Sequence, residues 1–117
     1  MYGFPSDIDL SFFQEKTLSQ VCIGITDLIL NFDDHVAITI TSRIGWSDSN
    51  DKHDTYENFG NSAVVVNLLG KKVISARGDA NGTLSLLFGN GISFYIYDDS
   101  EQYESYVIKN GDKLIVV

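Results

Sequence analysis

Lys16-Thr17-Leu18-Ser19-Gln20-Val21, Leu28-Ile29-Leu30-Asn31-Phe32 and Val36-Ala37-Ile38-Thr39-Ile40-Thr41 have counterparts later in the chain. These are Lys71-Lys72-Val73-Ile74-Ser75-Ala76, Leu84-Ser85-Leu86-Leu87-Phe88 and Ile92-Ser93-Phe94-Tyr95-Ile96-Tyr97. The first blocks align at an offset of 55 and the other two at 56, so one extra residue suffices. Leu28, Leu30, Phe32, Val36, Ile38 and Ile40 then fall on Leu84, Leu86, Phe88, Ile92, Phe94 and Ile96. A shared period of two in the apolar residues predicts two copies of one β-unit, each with one face to bury.

Working outward, Ser6 is placed to cap a short helix over Asp7–Phe13, with Ile8, Phe12 and Phe13 on one face. The second copy has Ser62–Gly70 in the corresponding place. Val64-Val65-Val66 favours a strand by propensity. The repeat favours a helix ended by Gly70 in the left-handed conformation, and the helix is the expectation here. Asp33-Asp34-His35 joins one hairpin, and Asn81-Gly82, Asn90-Gly91 and Asn110-Gly111 mark three more. Asn-Gly suits type I′ turns, which need positive φ at both central residues. The fold expected is α+β, mostly antiparallel β, within a single domain over residues 1–117. Pseudo-repeats 6–43 and 62–98 are completed by a closing hairpin, 103–117. They pack as a two-sheet sandwich or curl into an open barrel. Residues 44–61 show no period and read as an irregular loop.

The 117 residues hold 16 acids against 8 bases, a net charge of −8. Phosphate backbones and anionic membranes attract basic surfaces, so the expectation is no nucleic acid and no membrane partner. A basic protein partner fits, because opposite charge speeds encounter. No apolar run approaches the roughly 20 residues of a membrane-spanning helix. The first residues lack the basic-then-apolar pattern of a signal peptide. Cys22, the one cysteine, permits no internal disulfide. Together these point to a reducing cytoplasm. Cys22 itself, between Val21 and Ile23, reads as a small core residue.

Catalytic and metal patterns fail on inspection. Asp48, Asn50, Asp51 and Asp54 suggest a calcium loop, but Lys52, His53 and Phe59 stand where an oxygen ligand, a glycine and a glutamate are needed. His35 and His53 have no partner at zinc-ligand spacing. Leu69-Gly70-Lys71-Lys72 lacks the rest of a phosphate loop, and Gly89-Asn90-Gly91 is followed by a strand rather than a helix. No catalytic residue, metal site or cofactor is assigned, and the chain is expected not to be an enzyme. Two acidic–aromatic segments remain. Asp48, Asp51, Asp54 and Glu57 alternate with Trp46, Tyr56 and Phe59; Asp98, Asp99, Glu101 and Glu104 alternate with Tyr97, Tyr103 and Tyr106. Aromatic anchors in a charged rim are the composition of protein interfaces. The plain alternative is that the aromatics pack inward and the acids face water.

Pro5-Ser6-Asp7-Ile8-Asp9-Leu10-Ser11-Phe12, Leu18-Ser19-Gln20-Val21-Cys22-Ile23-Gly24 and Tyr103-Glu104-Ser105-Tyr106-Val107-Ile108 resemble a family of small uncharacterised bacterial β-rich proteins. Some proteins of this kind are encoded beside toxins of contact-dependent growth inhibition. The resemblance implies a bacterial cytoplasmic protein of the immunity type and transfers no site residues. The leading expectation is therefore a non-enzymatic immunity protein that covers the active site of a cognate basic toxin, a nuclease. Trp46, Tyr56 and Tyr103 would supply contact area, and the acids would imitate phosphates. The alternatives are a small-molecule or peptide-binding β-domain, and a module that forms a homodimer through an edge strand such as Leu114-Ile115-Val116-Val117.

Overall fold

Period-two alternation produces strands with one apolar face, and two such faces must be buried against each other. The computed structural model describes residues 4, 7–48, 52–55, 63–99 and 104–117, with 52–55 and 63 described by backbone alone. Among them, ten strands form two five-stranded antiparallel sheets. Sheet I contains β1 (Leu18–Ile23), β2 (Leu28–Phe32), β3 (Val36–Ile40), β9 (Tyr106–Asn110) and β10 (Lys113–Val116), in that order. Sheet II runs β5 (Lys52–Thr55), β4 (Ile44–Ser47), β8 (Ser93–Ile96), β7 (Leu84–Phe88), β6 (Val73–Gly78). Leu28, Leu30, Ile38 and Ile40 of sheet I share one buried cluster with Leu84, Leu86, Phe94 and Ile96 of sheet II. Helix α1 (Ala63–Asn67) contributes Val65, and Leu68 follows it into the same cluster.

The hairpins change sides. Chain order carries β3 into β4, yet β4 pairs with β8 of the opposite sheet. Likewise β9 follows β8 but pairs with β3. The two crossovers touch: Thr41 donates its N–H to Ser105 O at 3.0 Å, and Tyr97 donates to Arg43 O at 3.0 Å. Each sheet is therefore assembled from both halves of the chain.

Backbone features recur at the offset read from the sequence. Glu15 N–H bonds to Val73 O at 2.9 Å and Gly70 N–H to Leu18 O at 2.8 Å. Leu18 N–H bonds to Lys71 O at 3.0 Å and Val73 N–H to Lys16 O at 2.9 Å. These bonds are reciprocal about the isolated bridge between Thr17 and Lys72. Glu15 and Gly70 both take positive φ, 67° and 81°. The register breaks at Leu18/Gln20 in β1 and at Val73/Ser75 in β6.

Four expectations need correction. The segment before β1 is only a 3-10 turn, Ser11–Phe13, and Ser6 lies outside the described residues. Asp9 Oδ1 takes the Ser11 N–H at 2.9 Å, and this single turn already brings Leu10 and Phe13 onto the core. Residues 44–61 are not all irregular: β4 and β5 form a hairpin whose pairing across to sheet II matches that of the closing hairpin across to sheet I. The Asn-Gly turns are not type I′, because positive φ occurs at Gly82, Gly91 and Gly111 but not at the asparagines. The two successive left-handed residues occur instead at Asp34 and His35, φ 60° and 62°. Finally, Cys22 is exposed. The register break in β1 shifts the alternation, so Val21 packs against the core and Cys22 faces out.

Candidate interaction surface

The outward positions of sheet II are serines together with Gly45, Arg77, Leu87 and Tyr95. Across the strands, Arg77, Ser85, Tyr95 and Gly45 occupy one row of the register, and Ser75, Leu87, Ser93 and Ser47 the next. Their inward neighbours Leu84, Leu86, Phe94 and Ile96 are buried, so alternation leaves this face to solvent. Tyr95 is in register with Gly45 on one side and Ser85 on the other. Its hydroxyl is 2.8 Å from Ser47 Oγ, and its ring stacks on Tyr97 with centroids 6.4 Å apart. Beyond Tyr97, the Arg43 guanidinium sits 4.4 Å from the ring centroid. Arg43 Nε is 3.3 Å from Asp99 Oδ2, and its backbone N–H reaches Asp99 Oδ1 at 3.4 Å. An ordered ladder thus runs from Ser47 through two tyrosines to an arginine and an acid. On the other side of Tyr95, Ser75, Arg77, Ser85, Leu87 and Ser93 border a depression of about 370 Å³.

The acids named from the sequence are only partly brought together. Asp48 is exposed at the end of β4, and Asp99 lies beyond the other end, beside Arg43. Glu104 is exposed on the second crossover, where its carbonyl accepts the Thr41 hydroxyl at 3.0 Å. Asp54 stands in register with Gly45 on β5. Asp98 is turned inward and only 8% exposed, with Oδ1 accepting the Ser105 hydroxyl at 2.8 Å. It packs against Gly82 and faces Tyr106, whose hydroxyl donates to Gly82 O at 2.6 Å. Burial, with Asp98 and then Asp79 adding to it, pushes the Tyr106 hydroxyl far above its ordinary range. Asp98 is thus part of the fold's interior support rather than of an outer rim. Trp46 is half-buried, in register with Phe94, and packs on the core. Asp51, Tyr56, Glu57, Glu101 and Tyr103 lie outside the described residues.

Tyr95, Arg43 and the serines went unnoticed in the sequence. The available signal was the polar half of the alternation in Ser93-Phe94-Tyr95-Ile96-Tyr97, whose apolar half marks the core. Among the described residues, no group of three His, Cys, Asp or Glu side chains is placed to hold a metal ion. Among the same residues, no helix is long and apolar enough to cross a membrane.

No curated protein matches the chain, and no solved structure matches it. A family model does, over residues 11–117, and on that match the chain belongs to the family of unknown function DUF6188.

Proposed function

We propose that this chain is a non-enzymatic binding protein, an immunity protein that occludes the active site of a cognate basic toxin domain of nuclease type. The observation that carries the reading is the outer face of sheet II. There an ordered tyrosine pair is flanked by exposed acids at both ends of β4, on a chain of net charge −8. Tyrosines offer large contact area for little loss of side-chain freedom. Carboxylates at the rim steer a cationic partner and imitate the phosphates a nuclease binds. The ion pair of Asp99 with Arg43 adds little stability at the surface. Its use on this reading is to hold Arg43 over Tyr97 and so fix the ladder.

The recurrence of hydrogen bonds, positive φ and register breaks at the offset of 55 supports reading the chain as two copies of one unit that exchange their last hairpins. In such a scaffold the sheets are shared architecture, and the outward residues are where the copies differ.

The test is binding to the product of an adjacent reading frame with a toxin-like C-terminus. Tight, salt-sensitive association is expected. Asp48→Lys combined with Asp99→Lys should weaken it at least about tenfold, mostly through slower association. Absence of any toxin-like neighbour, or affinity indifferent to both salt and charge reversal, would refute the proposal. Capture of a neutral peptide or small molecule in the depression beside Arg77 would favour the ligand-binding alternative instead.

A further inference from the structure

Four strands form the edges of the two sheets, and three carry a device against edge-to-edge pairing. The registers of β1 and β6 are broken at Leu18/Gln20 and Val73/Ser75. The sequence of β5 is Lys52-His53-Asp54-Thr55, polar throughout. By contrast β10, Lys113-Leu114-Ile115-Val116, keeps unbroken register with β9 and has no proline. Leu114 is 62% and Val116 42% exposed. Among the described residues, no strand pairs with the outer side of β10.

We infer that β10 is a homodimerisation edge, pairing antiparallel with β10 of a second copy so that two copies of sheet I become one continuous sheet. The backbone is set for it. Val117 donates its N–H to Tyr106 O at 3.0 Å and accepts from Ser105 N–H at 2.7 Å, so its polar groups face β9. Alternation along the strand then turns the N–H and C=O of Leu114 and Val116 toward the open edge. A two-fold axis through Ile115 pairs Leu114 with Val116 of the second copy, and Val116 with its Leu114. Both pairs exchange main-chain hydrogen bonds and join their side chains on the outer face. The same axis sets Lys113 opposite Val117, so no like charges meet. The strand is thus complementary to itself in hydrogen bonds, apolar contact and charge. A chain of net charge −8 otherwise repels its copies, and here the strands β9 and β10 carry Lys109 and Lys113, with Asp112 the one acid in the turn that joins them, so repulsion is low along this edge. The inference is independent of the toxin reading, because it uses sheet I and leaves the outer face of sheet II open.

The test is sedimentation velocity of the full chain at micromolar concentration, with two variants. Val116→Pro removes an edge donor that the β9 ladder does not use. Leu114→Glu removes the apolar pair, and Lys109, in register with it, accommodates the new carboxylate within the monomer. The wild type should be dimeric, and each variant should weaken the dimer at least about tenfold while keeping its far-UV circular dichroism. A monomeric wild type would overturn the inference and leave the edge to a strand of another protein. A dimer unaffected by either substitution would overturn it as well. Should Val116→Pro disturb the fold, Leu114→Glu still decides.

Discussion

Tyr106 shows how much one side chain carries where the two halves meet. It is buried in the common core, and its hydroxyl is the donor for Gly82 O. Tyr106→Phe keeps the ring but strands a buried carbonyl, so we expect a loss of about 1–3 kcal/mol in urea unfolding. The same residue should shape the alkaline limb of stability. Its hydroxyl is held well above the ordinary tyrosine value, by burial first and then by Asp98 and Asp79. The folded chain therefore keeps a proton that the unfolded chain releases above about pH 10. That contribution is whole below this point and falls as pH rises further. Unfolding series on either side of it should show a shallower decline in Tyr106→Phe than in the wild type. Asp98 illustrates the limit of reading single residues. In sequence it opens an acidic run; in the fold it is the one acid of that run shown to be buried, accepting from Ser105. Nothing in Asp98-Asp99-Ser100-Glu101 distinguishes it, because burial there depends on a crossover formed with distant residues.

Two turns of the same dipeptide have different demands. Gly82, between β6 and β7, has φ +86°, and an added Cβ would meet Asp98 Oδ2 at 2.5 Å and Asp98 Cβ at 2.6 Å. Gly91, between β7 and β8, has φ +87° with nothing within 4 Å of the added atom. Both Gly→Ala changes should cost about 1–2 kcal/mol for the left-handed backbone. Only Gly82→Ala should add about 1–3 kcal/mol for crowding. Thermal melts should rank Gly82→Ala clearly below Gly91→Ala; equal melting temperatures would contradict the close approach of Asp98. Among the elements, strands with strict alternation were legible, and α1 agrees with the helix expected ahead of a left-handed Gly70, despite the β-branched propensity of its valines. The β4–β5 hairpin was not. Gly45 interrupts the pattern of β4, and Lys52-His53-Asp54-Thr55 has no apolar half to mark its period. A strand at a sheet edge is stabilised by its partner's backbone, which leaves little trace in its own side chains.

Each sheet needs strands from both halves of the chain, so neither half can close a core alone. Residues 1–58 and 59–117, made as separate chains, should each lack a cooperative transition and should combine into one folded species when coexpressed. Size exclusion and circular dichroism would show this, and a half that folds by itself would refute the exchange of hairpins as the source of cohesion. At this scale the division between sequence and structure is plain. The amino-acid pattern by itself determined that β2, β3, β7 and β8 are strands and which parity of each faces inward, because period and propensity are local. It also determined the negative charge on which the choice of partner rests. Tertiary structure alone decided that the hairpins cross between sheets, that Asp98 is interior while Asp99 is not, and that Tyr95, Tyr97, Arg43 and Asp99 form one ladder. Those outcomes depend on contacts between residues far apart in the chain, and such contacts leave no periodic mark in the sequence that makes them.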